Sequence, residues 1–334
     1  MALETSSKCL QPQLFGVDQL DQIRDHLQRE GLVAVRDVLT AAQCERTLED
    51  MHTLWSEHCP THRRDDVSSF AAWPPVGLTR YALLQSEPVF RAQALRNRQS
   101  PALLAIGRAL LNCEQVLCSH DRYGLMRPAV DHPAWSTHPN LHLDLDPWLY
   151  FAAGAESERV VRERLNSLNY DTATVDGRRC FLRENNLAHA ALQPLFLQGS
   201  FCLADNRAED GGFQCVPRSH LALQQWTRTH RREDYCESDP QDGFSFPRED
   251  AMWQAARRVA PLPRGTLLLW DQRVAHGSLP NHSERERAAQ FVRLFSADLL
   301  SESTRRRRRS ALASLLPDDF ELSCVGRALF DLPD

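Results

Sequence analysis

The chain has 334 residues, 42% hydrophobic and 25% charged, which suits a globular protein that buries a sizeable core without cross-links. A formal charge of -5 excludes a generally basic nucleic-acid binder, so no nucleic-acid partner is expected. No apolar run approaches the ~20 residues needed to span a bilayer, so no membrane partner is expected either.

The ten cysteines are scattered with no Cys-x-x-Cys pair, and several sit in apolar runs such as Ser200 to Ala204 and Phe213 to Val216. That placement points to reduced, buried thiols in an intracellular protein. Met1 to Lys8 lacks the basic start and apolar core of a secretory signal, and Asp331-Leu-Pro-Asp334 is not a peroxisomal address. A cytoplasmic protein is expected, with the nucleus as the alternative.

In chain order, Val17, Leu20, Ile23 and Leu27 follow helical spacing until Gly31 breaks the pattern. Leu32 to Val35 reads as a short buried strand, and Thr40 as the N-cap of a second helix running to about Trp55. A further helix is expected from Pro101 to Leu111, with proline in its first turn. Beyond it the texture becomes that of short strands, at Gln115 to Cys118, Leu141 to Leu145, Leu195 to Leu203, Gly212 to Val216, Thr266 to Trp270 and Ala289 to Phe295. The expected architecture is mainly β, a sandwich or barrel with supporting helices. It forms a single domain over 1–334, with a helical support region at 1–112 and a β core at 113–300. Inserts interrupt the core near 151–190, with a helix at Ser157 to Leu168, and near 221–260; both are long for plain connections. In the tail at 301–334, the unbroken run Arg305 to Arg309 reads as a solvated loop or helix start, against a localisation signal or polyanion contact.

The segment richest in chemistry is Leu141-His-Leu-Asp-Leu-Asp-Pro-Trp148. On a strand, His142 and Asp144 are two apart and share a face, so both can reach one metal ion. His276, just beyond the apolar strand Thr266 to Trp270, fits as the third ligand on a returning strand. Two imidazoles and a carboxylate on one side of a metal leave positions open, which suits Fe(II) that must bind a co-substrate and O2 together. An isolated His-x-Asp is common by chance, and His132 and His138 are competing candidates among thirteen histidines.

Four segments in order carry a wider resemblance. They are Glu30-Gly-Leu-Val-Ala-Val-Arg-Asp-Val-Leu39, the His142-x-Asp144 strand, Asp210-Gly-Gly-Phe-Gln-Cys-Val-Pro-Arg-Ser-His220, and Gly265 to Asp271 leading through His276-Gly-Ser-x-Pro-Asn281 to Arg287. The chain resembles the phytanoyl-CoA dioxygenase-like family of Fe(II)/2-oxoglutarate oxygenases. The resemblance implies a double-stranded β-helix (jelly-roll, cupin-like) core. Arg218 stands where the family has glycine, which leaves the turn there open. Arg287, eleven residues after His276, matches the arginine that pairs with the distal carboxylate of 2-oxoglutarate, and a guanidinium fork suits that partner. Arg285, two residues away, is the competing arginine. Ser278 resembles the serine that bonds the same carboxylate. Trp148 either walls this pocket or is an ordinary core tryptophan, while Pro217 and His220 read as loop structure.

The activity so implied is that of a dioxygenase using Fe(II), 2-oxoglutarate and O2. It oxidises a small-molecule substrate, most simply by hydroxylation, with release of succinate and CO2. Related enzymes that chlorinate carbon carry a small residue at the position of Asp144, so its presence favours oxygen chemistry. The rival readings are a cupin-like isomerase or hydrolase using the same three ligands with another metal, which would not need Arg287, and a non-catalytic binding module of the same fold. Gln198 and Arg122 are candidate substrate contacts. Substrate identity and oligomeric state stay open.

Overall fold

The computed structural model describes residues 9–152, 155–186, 197–235 and 244–333. Two short strands, β1 (Cys9–Leu10) and β2 (Leu14–Phe15), precede α1 (Leu20–Glu30), which buries Ile23 and Leu27. Gly31 ends that helix at φ +81°, its N–H closing on the Leu27 carbonyl, a left-handed turn that glycine makes without Cβ strain. All four residues of β3 (Leu32–Val35) are buried. Helix α2 (Ala41–His58) starts on a reciprocal cap between Thr40 and Gln43 and buries Leu48, Met51, Leu54 and Trp55 along one face. After β4 (Leu83–Leu84) come α3 (Ala92–Arg98) and α4 (Pro101–Leu111), the latter as expected with Pro101 in its first turn.

Strands then dominate. They are β5 (Val116–Cys118), β6 (Tyr123–Met126), β7 (His142–Leu143), β8 (Leu197–Cys202), β9 (Gly212–Cys215), β10 (Phe244–Ser245), β11 (Arg257–Val259), β12 (Leu267–Asp271), β13 (His276–Leu279) and β14 (Arg287–Ser296). They form two mixed sheets, a six-stranded one ordered β1-β11-β9-β13-β7-β10 and an eight-stranded one ordered β2-β3-β12-β8-β14-β6-β4, with β5 also on β14. This is a mainly-β core with supporting helices. The chain crosses between sheets at β1–β2, β6–β7, β7–β8, β8–β9, β11–β12, β12–β13 and β13–β14, so side chains from distant segments meet between the layers. Phe213 and Cys215 of one sheet pack there with Leu268 and Trp270 of the other. Helices α1 and α4 lie on the larger sheet, against β3 and β14.

Several boundaries differ from expectation. The strand at Leu141 to Leu145 shrinks to His142–Leu143, because Pro147 opens a helix directly afterwards. Strands β1, β2, β4, β6, β10 and β11 were not anticipated; most are too short to leave a periodic pattern. The first two residues of the strand expected at 195–203 lie outside the described residues. The region near 151–190 holds α5 (Pro147–Ala152), α6 (Ala155–Asn166) and α7 (Val175–Asn186), and the region near 221–260 holds α8 (Ser219–Thr229) and α9 (Ala251–Ala255). Among the described residues no helix is long and apolar enough to cross a membrane. Nine cysteines are described, all free thiols; Cys236 lies outside the described residues.

The C-terminal arginine run is not a solvated loop. It forms part of α10 (Glu302–Leu315), which with α11 (Cys324–Phe330) packs on the core. Arg308 is fully buried and forks onto Glu184 at 2.9 and 3.0 Å, while Tyr170 donates to the same carboxylate at 2.7 Å. Arg305 and Arg309 both grip Asp331, at 2.6–3.2 Å. Helical spacing explains the division of labour: positions 305, 308 and 309 share a face, leaving Arg306 and Arg307 exposed.

Burial pushes the Asp331 carboxyl up, but the bonds from Arg305 and Arg309 outweigh it and hold the group below the usual carboxylate range. A folded-state value below the unfolded one adds stability that is complete above about pH 4 and fades as pH falls through the depressed value. Asp331→Asn is therefore expected to destabilise at pH 7 by about 1.5–3 kcal/mol, and its deficit should narrow below about pH 4. Asparagine tolerates the left-handed conformation of residue 331, at φ +61°, so the backbone is not the variable. Urea unfolding at both pH values checks this; an equal deficit at each speaks against the ion pair.

Candidate metal centre and its cavity

His142 and His276 face each other directly across the antiparallel pair β7–β13, with ring centroids 4.5 Å apart. Directly opposed residues project to the same face, which is how two histidines remote in sequence converge. Asp144 follows β7 in a bend and turns its carboxylate to the same point, with Oδ1 3.4 Å from His142 Nε2 and Oδ2 3.7 Å from His276 Nε2. One donor atom from each of the three lies within 4.8 Å of the others, close enough to hold a metal ion. His132 and His138 are exposed and stand outside the group.

Both rings are oriented from behind. His276 Nδ1 donates to the Val274 carbonyl at 2.9 Å, and His142 Nδ1 donates to Asn140 Oδ1 at 3.1 Å. Each bond fixes the tautomer that leaves the Nε2 lone pair free for a metal. Burial and the adjacent His142 also hold His276 below its ordinary pKa, which keeps the ring neutral. Asn140 further donates to Ser278 Oγ at 3.1 Å, so one amide positions two site residues.

Asp144 has two partners that sequence reasoning did not assign to it. Gln198 Nε2 donates to its Oδ2 at 2.5 Å and Arg293 Nη2 to the same oxygen at 2.8 Å. Burial disfavours the Asp144 charge, but Arg293 and then the two histidines outweigh it and hold the carboxyl well below the usual range. Gln198, expected as a substrate contact, lines the cavity beside this centre, and its amide is engaged at both ends, with Oε1 accepting from Trp270 Nε1 at 3.1 Å.

The centre opens on a cavity of about 360 Å³. Strand β14 lines it with Arg287, Phe291 and Arg293 at alternating positions, and β13 with His276 and Ser278. Phe213 and Trp270 add aromatic walls, with ring centroids 6.0 and 5.2 Å from that of His276. Arg287 is buried, and among the described residues its guanidinium makes no hydrogen bond or ion pair. Gly212, at φ +96°, leaves room for it: a Cβ there would stand 3.0 Å from Arg287 Nε. Arg285 lies before the strand and is bound to Asp210 at 2.5 Å. Arg122 lines the cavity as well.

Trp148 does not line the cavity. Pro147 starts α5 just before it, and the helix carries the indole into a cluster with Trp226, Tyr235 and Phe244, where Nε1 donates to the His230 carbonyl at 2.8 Å. It is a packing residue.

The model of the phytanoyl-CoA dioxygenase family matches residues 146–289, a span that contains His276 and Arg287. A Dictyostelium discoideum protein named "Putative phytanoyl-CoA dioxygenase" is 26% identical over 309 residues, covering 89% of this chain and 82% of its own. Over these spans the chain is similar to the phytanoyl-CoA dioxygenase family.

Solved structures share the fold of this chain at low identity. The product of GlcNAc-inducible gene 2 from Candida albicans aligns with a TM-score of 0.59 at 14% identity, over 94% of this chain and 73% of that one. The epimerase SnoN, in complex with Fe3+, alpha-ketoglutarate and nogalamycin RO, aligns with a TM-score of 0.51 at 15% identity over 84% of each chain. The family resemblance also explains Arg218. It adopts φ +65°, the left-handed conformation for which glycine is suited, so the turn persists with an arginine in it. His220 Nε2 donates to the Gln28 carbonyl at 2.9 Å and takes a structural place against α1.

Proposed function

We propose that this chain is an Fe(II)- and 2-oxoglutarate-dependent dioxygenase, a double-stranded β-helix enzyme that oxidises a small molecule, most simply by hydroxylation. The observation that carries the reading is the pairing, in one cavity, of the His142–Asp144–His276 donor group with the buried, uncommitted guanidinium of Arg287. A metal-dependent isomerase or hydrolase on the same three ligands would have no use for that guanidinium.

The donor set fits the group it is proposed to hold. His142 and His276 offer Nε2 and Asp144 offers Oδ1, while Asp144 Oδ2 is occupied by Gln198 and Arg293. Such a set binds iron on one side and leaves the other open. When bound, iron with 2-oxoglutarate and O2 supplies the oxidising chemistry that yields succinate, CO2 and the oxidised product. The chain's own residues bind, orient and shield. Arg287 pairs with the distal carboxylate of the co-substrate, Ser278 adds a hydroxyl, and Gly212 keeps that end open. Phe213 and Trp270 exclude water from beside His276, which strengthens every charge interaction there. Gln198 and Arg293 fix the carboxylate that must not rotate. The free thiols of the described cysteines support a cytoplasmic site of action.

The test is decarboxylation of 2-oxoglutarate by the purified protein. Succinate should form only with Fe(II), stop on chelation and return on adding iron. Mn(II)-loaded protein that shows no 2-oxoglutarate binding by calorimetry would overturn the reading.

A further inference from the structure

Arg122 stands just before β6, where its carbonyl accepts from the Phe291 N–H of β14 at 3.3 Å. On the same strand pair Arg287 is opposite Met126. The two arginines are thus four residues apart along the ladder, about 13–14 Å of backbone, with Phe291 on the cavity side beside Arg122. A five-carbon diacid held at Arg287 is shorter than that, so Arg122 is not needed for the co-substrate.

Its side chain is nevertheless prepared for an anion. Asp121 Oδ1 accepts from the Arg122 backbone N–H at 2.7 Å and from its Nε at 3.2 Å, which anchors the guanidinium at its base. Among the described residues neither Nη has a hydrogen-bond partner, although Arg122 lines the cavity. A guanidinium held by Nε with both Nη groups facing a cavity presents a fork that matches a carboxylate.

The charge balance points the same way. The charged lining residues are three arginines (122, 287 and 293) and two aspartates (121 and 144), a surplus of one positive charge. A divalent metal and a dianionic co-substrate cancel each other and leave that surplus intact. One carboxylate neutralises it, whereas a phosphate monoester brings about two charges. Volume adds a limit: about 360 Å³ lies near the small end of ligand pockets, and the co-substrate takes part of it.

We infer that the substrate is a small organic monoanion whose carboxylate is held by Arg122, its apolar body resting on Leu83 and Phe291. This rests on the dioxygenase reading above. An acyl-CoA has no place in it, because the part that enters must be small and carry its charge beside Arg122.

The experiment uses the iron-loaded protein with 2-oxoglutarate and a panel of aliphatic, aromatic and amino carboxylic acids, each beside its methyl ester and a matched phosphate monoester. The readout is succinate formation above that with 2-oxoglutarate alone. At least one acid should exceed its ester and its phosphate counterpart at least ten-fold in wild type. In Arg122→Gln that preference should collapse to within about two-fold, and Arg122→Lys should recover part of it. Esters or phosphates as effective as the acids, neither having effect included, or an acid preference that survives Arg122→Gln, would overturn the assignment. Failure of wild type to bind 2-oxoglutarate would instead remove the dioxygenase reading and this inference with it.

Discussion

Iron binding is expected to disappear in His142→Ala, Asp144→Ala and His276→Ala and to survive in His138→Ala. Each of the three contributes one donor atom to a group spanning 4.8 Å, and loss of one leaves too few protein ligands for tight binding. His138 is exposed and outside the group, so its removal is the matched control. Arg293→Gln should lie between. It keeps all three ligands but loosens Asp144, and loss of such an outer partner typically weakens a metal about 10–100-fold. Iron stoichiometry after anaerobic reconstitution, with affinity from competitive titration, separates the cases. Stoichiometry near one in all three alanine variants would end the assignment. An Arg293→Gln affinity equal to wild type would show that Gln198 alone suffices to hold the carboxylate.

The second large effect concerns the co-substrate. Truncating one partner of a buried charge pair costs about 2–5 kcal/mol, so Arg287→Ala should weaken 2-oxoglutarate binding at least ten-fold and Arg285→Ala far less. The two differ in their commitments: Arg285 is bound to Asp210, whereas Arg287 faces the cavity without a partner among the described residues. Arg285→Ala should therefore appear in thermal unfolding, because it leaves the buried Asp210 carboxylate without its cation. Calorimetric titration of Mn(II)-loaded variants gives the affinities. The reverse ranking would mean that the wrong arginine was chosen.

These expectations differ in how far the amino-acid sequence alone supports them. The histidine and aspartate of the His142-x-Asp144 pair were legible because a two-residue period is a local property of extended chain. Their shared face survives even though the strand stops at Leu143. His276 and Arg287 were legible through the order and spacing of four segments, which resemble a known family. The helical support was readable from local signals too: Gly31 at a left-handed cap, Thr40 and Gln43 in a reciprocal cap, and Pro101 in a first turn.

What local signals could not supply was register. Asn140, Gln198 and Arg293 belong to the centre because β7 lies against β13 and β8 against β14 in one particular alignment. A slip of one residue would turn Arg293 to the opposite face, and nothing in its neighbouring residues marks it as a partner of Asp144. Trp148 failed for the related reason that Pro147 exchanges a two-residue period for a helical one, sending the indole into an aromatic cluster. Arg285 and Arg287 share parity in sequence, and only the tertiary structure shows that Arg285 is paired with Asp210 while Arg287 faces the cavity. The arginine run near the C-terminus reads as a surface feature until α10 packs and buries Arg308 on Glu184. The candidate donor group is written in short-range periodicity and motif order. Its supporting shell depends on contacts between residues remote in the chain, and those are chosen by the packing free energy of the whole molecule, which no single segment encodes.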